Sequence, residues 1–315
     1  MPISNPKQAI PVYLKGIAMG AADIVPGVSG GTIAFISGIY EELIDSIGAI
    51  GPKTLRILFK EGIAAAWRSF NGTFLLTLML GILTSVFTLS TLISELLHSH
   101  PEKLWSFFFG LIVISAIHIG RQIRQWRASE VIAITLGTVM AYGITAIAPA
   151  QLPMTPLTVF VAGAIAICAM ILPGISGSFI LLLLGMYANI LGAVKSLDIM
   201  ILLIFAAGCL SGLLGFTRFL SWLLHHHHGP ALALLTGFMI GSLNKVWPWK
   251  QTLVYTTNSH GDQIPLVQQS LMPGQYLAST GQEPQLWACL GLMVVGVVVV
   301  LALEQVAKSK GSHSA

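Results

Sequence analysis

The feature that most constrains this chain is a short polar motif that interrupts two apolar stretches in the same way. Residues 21–35 read AADIVPGVSGGTIAF, and residues 169–183 read AMILPGISGSFILLL. Proline has no amide hydrogen and its ring clashes with the preceding turn, so a helix ends there. A backbone opened within hydrocarbon leaves N–H and C=O groups unpaired at several kcal/mol each, so protein, water or ligand must cover each break. Any fold for this chain has to explain two such breaks.

The breaks belong to an internal repeat. Without a gap, residues 22–47 align with 169–194, pairing Ala22 with Ala169, Pro26 with Pro173, Gly27 with Gly174, and Ser29 with Ser176. Gly30 pairs with Gly177, Gly38 with Gly185 and Tyr40 with Tyr187. Further on, at a smaller offset, Gly81 echoes Gly208, Gly110 echoes Gly237 and Ser115 echoes Ser242.

Apolar runs of the roughly 20 residues needed to cross a bilayer occur near 73–97, 104–120, 129–148, 199–224, 230–246 and 286–306. Only 9% of the 315 residues are charged and mean hydropathy is +0.81, against about 25% charged in soluble domains. The expected fold class is therefore an all-α integral membrane protein. The segments around the breaks, about 10–50 and 157–195, each read as two short apolar pieces that enter the membrane and turn back. Each half is then a re-entrant helical hairpin plus three transmembrane helices. An odd number of crossings inserts the second half upside down, giving two inverted-topology repeats. Repeat A spans 1–150, with an interfacial amphipathic helix at 51–71. Repeat B spans 151–315, with an outer polar loop at 248–285. Together they form one integrated transport domain.

Charge placement fits that topology. With both hairpins returning to their own side, only Lys103, Lys195, Lys245 and Lys250 among the 16 Lys and Arg lie opposite the termini. The positive-inside rule then makes both termini cytoplasmic. The formal charge of +4 is small and scattered, which argues against nucleic acid as a partner. All seven tryptophans fall at or near segment ends, as interfacial aromatics do. The N-terminus, with Lys15 inside its first apolar run, does not resemble a cleaved signal. Cys168, Cys209 and Cys289 lack CxxC spacing, so neither a disulfide nor a metal site is expected. His225–His228 reads as a wet loop without an acid beside it.

The breaks have the chemistry of an anion site. The amides of Ser29, Gly30, Gly31 and Thr32 open a half-helix and have no carbonyl partner within it, and the helix dipole adds positive character. Ser176, Gly177 and Ser178 repeat this from the other half. Pro26, Gly27, Pro173 and Gly174 form the turns. Phosphate is the expected guest, and the hydroxyls also suit capping of their own half-helices. Asp23, opposite Met170 in the repeat, is an acid in a membrane segment and so a candidate for coupling or charge balance, or simply a cap on the turn. Glu41 reads as a gating acid or a solvated one. Arg218 reads as a phosphate clamp or a snorkelling side chain. No catalytic or metal-binding residue and no cofactor is expected, beyond a proton or sodium ion as coupling ion.

With these residues in view, GAADIVPGVSGGTIAFISGIYEELI and LPGISGSFILLLLGMY resemble the bacterial polyprenyl-phosphate translocases of the PopT type, formerly a family of unknown function. The likeness covers about residues 12–306. It implies a membrane transporter that flips undecaprenyl phosphate, the lipid carrier of cell-wall precursors, across the bacterial inner membrane for reuse. It implies a lipid-phosphate partner and leaves the oligomeric state open, with a homodimer among the options. Two rivals share the pattern: an undecaprenyl-pyrophosphate phosphatase, whose related motif carries an arginine where Gly30 and Gly177 stand, and an ion-coupled carrier of a small anion.

Overall fold

A computed structural model of the chain describes residues 6–25, 28–147, 150, 152–257 and 263–311. Pro26 and Gly27, two of the expected turn residues, lie outside the described residues.

The chain is mostly helical. Helix α1 (Pro6–Ile24) leads to the first break, and α2 (Gly30–Ile36) and α3 (Tyr40–Gly48) follow it. Next come α4 (Pro52–Glu61) and α5 (Ile63–Ser69), then the long helices α6 (Gly72–Ser99), α7 (Pro101–Gly120) and α8 (Ala128–Ala146). The second half begins with α9 (Pro156–Ile171), the second break, α10 (Gly177–Leu183) and α11 (Tyr187–Ser196). It continues with α12 (Ile199–His226), α13 (His228–Ser242), β1 (Lys250–Thr257), β2 (Gln263–Ser270), α14 (Pro273–Thr280) and α15 (Leu286–Gly311).

Among the described residues, four helices are long and apolar enough to cross a membrane: α6, α7, α8 and α12. A fifth span arises only if α10 and α11, bent by 108° at their junction, count as one. Helix α6 turns Leu76, Leu80, Leu83 and Phe87 outward, and α12 does the same with Leu203, Leu210 and Phe219. Such contiguous apolar exposure suits lipid, not water. The chain is a multi-pass membrane protein.

Local sequence sets the helix ends. Thr155 caps α9 by accepting from the Thr158 amide, with Pro156 at the first helical position, where a missing N–H costs nothing. Asp198 caps α12 through the Ile201 amide. Gly38 (φ +72°) and Gly185 (φ +68°) make the left-handed turns after α2 and α10, a conformation that favours glycine.

Glycine also sets the helix pairing. A methyl group at Gly16 would run into the Leu78 carbonyl of α6, and one at Gly163 into the Phe205 carbonyl of α12. Gly81 and Gly208 meet the Tyr13 and Phe160 carbonyls in return. So α1 lies directly along α6, and α9 along α12, by the small-residue contact that membrane helices use. Gly110 abuts Met293 of α15, while Gly137 and Gly237 seal α8 against α13. The main core joins α1, α3, α6, α7 and α13 around Tyr40, Ile44, Phe74, Ile112, Leu235 and Met239.

Four features differ from the sequence reading. Of the six expected spans, 230–246 and 286–306 fall short of crossing length among the described residues, since α13 has 15 residues and the apolar part of α15 is Leu286–Ala302. The segment 248–285, expected as an outer polar loop, carries an antiparallel hairpin, with Lys250 opposite Ser270 and Thr257 opposite Gln263, followed by α14. The interfacial segment is two helices, not one, because Gly62 (φ +88°) breaks it. Trp105 and Trp249 are buried, and Trp249 joins Tyr276 and Cys289 in a small cluster instead of being exposed at a segment end.

Candidate functional site

The two breaks touch. Ser29 Oγ donates to the Met170 carbonyl at 2.9 Å. The Gly174 amide donates to Thr32 Oγ1 at 2.8 Å. Tyr40 Oη donates to the Ile171 carbonyl at 3.2 Å. Carbonyls and an amide freed by the second break are thus met by hydroxyls from the first half, so the opened backbone keeps its hydrogen bonds. Gly31 permits the approach: a methyl group there would lie 2.6 Å from the Ile171 oxygen and 3.1 Å from the Met170 oxygen. Ser29 and Thr32 are fully buried.

The half-helices differ in what fills their amide ends. At α2, the Gly30 amide donates to Asp23 Oδ1 at 2.6 Å, the Gly31 amide to Ser29 Oγ at 3.0 Å, and the Thr32 amide to the Ser29 carbonyl at 2.9 Å. A methyl at Gly30 would strike the Asp23 carboxylate at 2.5 Å. The first cradle is therefore already filled, by the Asp23 carboxyl group. At α10, Ser176 makes no cap to the backbone; its hydroxyl pairs with Ser178 Oγ at 2.8 Å. Among the described residues, the amides of Gly177 and Ser178 find no acceptor. The difference follows from sequence, since the position equivalent to Asp23 is Met170.

The far end of each half-helix is tied to the chain that precedes its break. Lys15 Nζ of α1 donates to the Ser37 carbonyl after α2 at 2.7 Å. The Leu183 and Leu184 carbonyls accept from the Ala150 and Leu152 amides at 2.7 and 3.3 Å, just ahead of α9.

The remaining candidates sit elsewhere. Arg218 Nε donates to the Gly48 carbonyl at 3.2 Å and Nη2 to the Ile50 carbonyl. It thus binds the open C-terminal end of α3, where a cation suits the dipole, and not the breaks. The histidines 225–228 are not a loop without acids. His225 and His226 end α12, His228 begins α13, and α3 brings acids to them. His228 Nε2 lies 3.1 Å from Glu41 Oε1 and His225 Nε2 3.7 Å from Asp45 Oδ2; Ser221 Oγ donates to Asp45 at 2.6 Å. Those acids are more than 170 positions away in sequence, so local composition could not reveal them. The pairs are solvent-exposed, and exposed pairs contribute little. His228→Ala is expected to leave the melting temperature within about 2 °C of wild type in a thermal scan.

Tyr40 and Lys15, which the structure ties to the two breaks, are not among the residues that the sequence singled out. The Tyr40–Tyr187 identity and the lone lysine in an apolar run were the available signals.

Comparison with known proteins bears on this arrangement. The model of the VCA0040-like, undecaprenyl phosphate translocase-like family matches residues 19–264, which contain both breaks and everything between them. The chain belongs to this family. A relative in Vibrio cholerae, named polyprenyl-phosphate transporter, is 54% identical over 296 residues, covering 94% of this chain and 96% of its own. One of the same name in Staphylococcus aureus is 35% identical over 254 residues, covering 75% and 85%. No solved structure matches the chain significantly.

Proposed function

We propose that the chain moves a polyprenyl phosphate, undecaprenyl phosphate in the first instance, between the leaflets of the bacterial inner membrane as a transporter and not as an enzyme. The observation that carries the reading is the hydrogen-bonded meeting of the two breaks, Ser29 on Met170 and Gly174 on Thr32. A phosphate headgroup needs donors at membrane depth while its prenyl chain stays in lipid, and backbone amides with hydroxyls supply them. Ser29, Gly30, Gly31, Thr32, Ser176, Gly177 and Ser178 are the proposed ligands. The second cradle is the one with free amides, so it receives the headgroup first.

Alternating access follows if the two halves are inverted repeats. Helices α6 and α12 have 28 residues each, α2 and α10 seven each, and the equivalent glycines Gly16 and Gly163 meet equivalent carbonyls. Direction supports the inversion. Gly229 lies by Glu130 and Asn244 by Thr145, so α13 runs parallel to α8. With each short link reversing the chain, α8 runs with α6, and α12 runs against both. The touching breaks then represent a closed state, which opens by parting to one leaflet or the other.

The test is a proteoliposome flipping assay with and without proton and sodium gradients. Wild-type protein should carry the lipid phosphate across. A Ser29→Ala/Ser176→Ala double variant should bind the headgroup about tenfold less tightly, as expected for lost charge-assisted hydrogen bonds. Unchanged binding removes the hydroxyls from the site, and wild-type liposomes without lipid movement remove the proposal.

A further inference from the structure

Beyond the breaks, the structure contains two lysines whose arrangement no part of the preceding site explains. Lys245 follows α13 and Lys250 opens β1. Both are half-buried. Lys245 Nζ stands 4.3 Å from the ring centre of Phe179 in α10, and Lys250 Nζ stands 4.5 Å from that of Trp105 in α7. Lys250 also donates to the Lys245 carbonyl, and the two amines are near enough to act on each other electrostatically, so both share one corner. Among the described residues, neither forms an ion pair with a carboxylate. Aromatic faces offset part of the charge, but they do not replace a counter-ion for two cations held together.

We propose that Lys245 and Lys250 form an anion site for a phosphate monoester at the outer end of α13, where a headgroup is held before or after it passes the breaks. This deepens the translocation reading and rests on it for the identity of the lipid, but not for the site.

Position supports the assignment. Ser242, one turn before Lys245, is packed so closely on Gly174 of the second break that a methyl there would sit 2.5 Å from its hydroxyl. Phe179, beneath Lys245, is two residues beyond Gly177. The site therefore adjoins the break whose amides are free. Trp247 lies 5.6 Å from Trp249 and 5.4 Å from Phe109, which gives the corner an apolar flank suited to the first units of a prenyl chain. A dianion matches two cations, so a phosphate monoester fits better than a singly charged diester. Burial lowers the affinity of both amines for their protons: Lys245 is pushed down to about 8, and Lys250 is pushed well below its ordinary value by burial and then by Lys245. An arriving dianion reverses this by stabilising the charged forms.

The shared chemistry could be met by a lipid headgroup or by free phosphate, and the experiment separates them. Calorimetric titration of the full chain in detergent uses farnesyl phosphate, inorganic phosphate and neutral farnesol. Wild type should bind farnesyl phosphate, and Lys245→Met/Lys250→Met should weaken it at least tenfold while farnesol is unaffected. The Lys245→Arg/Lys250→Arg pair, which keeps both charges, should bind farnesyl phosphate more tightly than the Met pair. Lysine-dependent binding of inorganic phosphate at equal affinity supports the anion site and assigns it to free phosphate. Equal affinity of wild type and the Met pair for both phosphates overturns it. Should the Met pair fail to fold, acylation of Lys245 and Lys250 in wild type, read by mass spectrometry, decides: protection by farnesyl phosphate supports the site and its absence overturns it. A chain that flips lipid while its binding ignores the lysines loses this site and keeps translocation. A chain with lysine-dependent binding but no flipping keeps the site and loses translocation.

Discussion

Gly31→Val is expected to reduce lipid-phosphate translocation to the protein-free background and to lower the melting temperature by about 5 °C or more, the shift of a core overpacking of about 2–3 kcal/mol in a chain of this size. The first added carbon would already lie 2.6 Å from the Ile171 oxygen and 3.1 Å from the Met170 oxygen. Both neighbours are backbone carbonyls, and both are already hydrogen-bonded, to Tyr40 and Ser29. They cannot swing aside as a side chain would. Valine therefore forces α2 away from the end of α9, and the Ser29, Thr32 and Tyr40 bonds are strained together. Gly143→Ala is the control, because nothing lies within 4 Å of that position, and it should behave as wild type. A Gly31→Val protein that flips lipid at the normal rate would show that the breaks need not touch.

The membrane class and the two breaks could be read from the chain, for a physical reason, whereas the helix partner of each repeated glycine came only with the structure. Lipid allows few solutions: apolar length marks a span, proline marks a stop, and small residues mark close approach. The pairing of Ser29 with Met170 was foreshadowed only in outline by the repeat. Which hydroxyl meets which carbonyl depends on contacts 141 and 142 positions apart, and periodicity carries no information on that. Asp23 is instructive, since both a coupling role and a cap were open to it. The structure gives it the Gly30 amide, an asymmetry that the Met170 substitution in the second copy foretold. Arg218 and His228 found partners on α3 that no local spacing announced. The lysine corner was illegible for a further reason: Lys245 and Lys250 look like two ordinary outer-side cations until Phe179 and Trp105 are placed beneath them.

Asp23→Asn separates the two roles left to that residue, and the expected result has opposite signs in binding and in transport. Asparagine keeps an oxygen for the Gly30 amide, so a mere cap would be preserved and both measurements would stay near wild type. A carboxylate does more: it places a negative charge in the same cradle that is proposed to take the phosphate, and two anions a few ångströms apart repel by on the order of 3 kcal/mol at an intermediate effective dielectric. Removing that charge should tighten headgroup binding by about tenfold, which is about 1.4 kcal/mol and well within that repulsion. The same change should slow flipping at least tenfold and abolish its response to a proton or sodium gradient. A headgroup held too well leaves slowly, and the acid that would exchange its cation for the substrate is gone. The measurement is binding of farnesyl phosphate in detergent beside gradient-driven flipping in liposomes, with a melting curve to show that the fold is kept. Tighter binding with unimpaired, gradient-sensitive transport would place the coupling ion elsewhere. Wild-type values in both would leave Asp23 as the cap of α2, and the first cradle as a structural joint rather than a second seat for the phosphate.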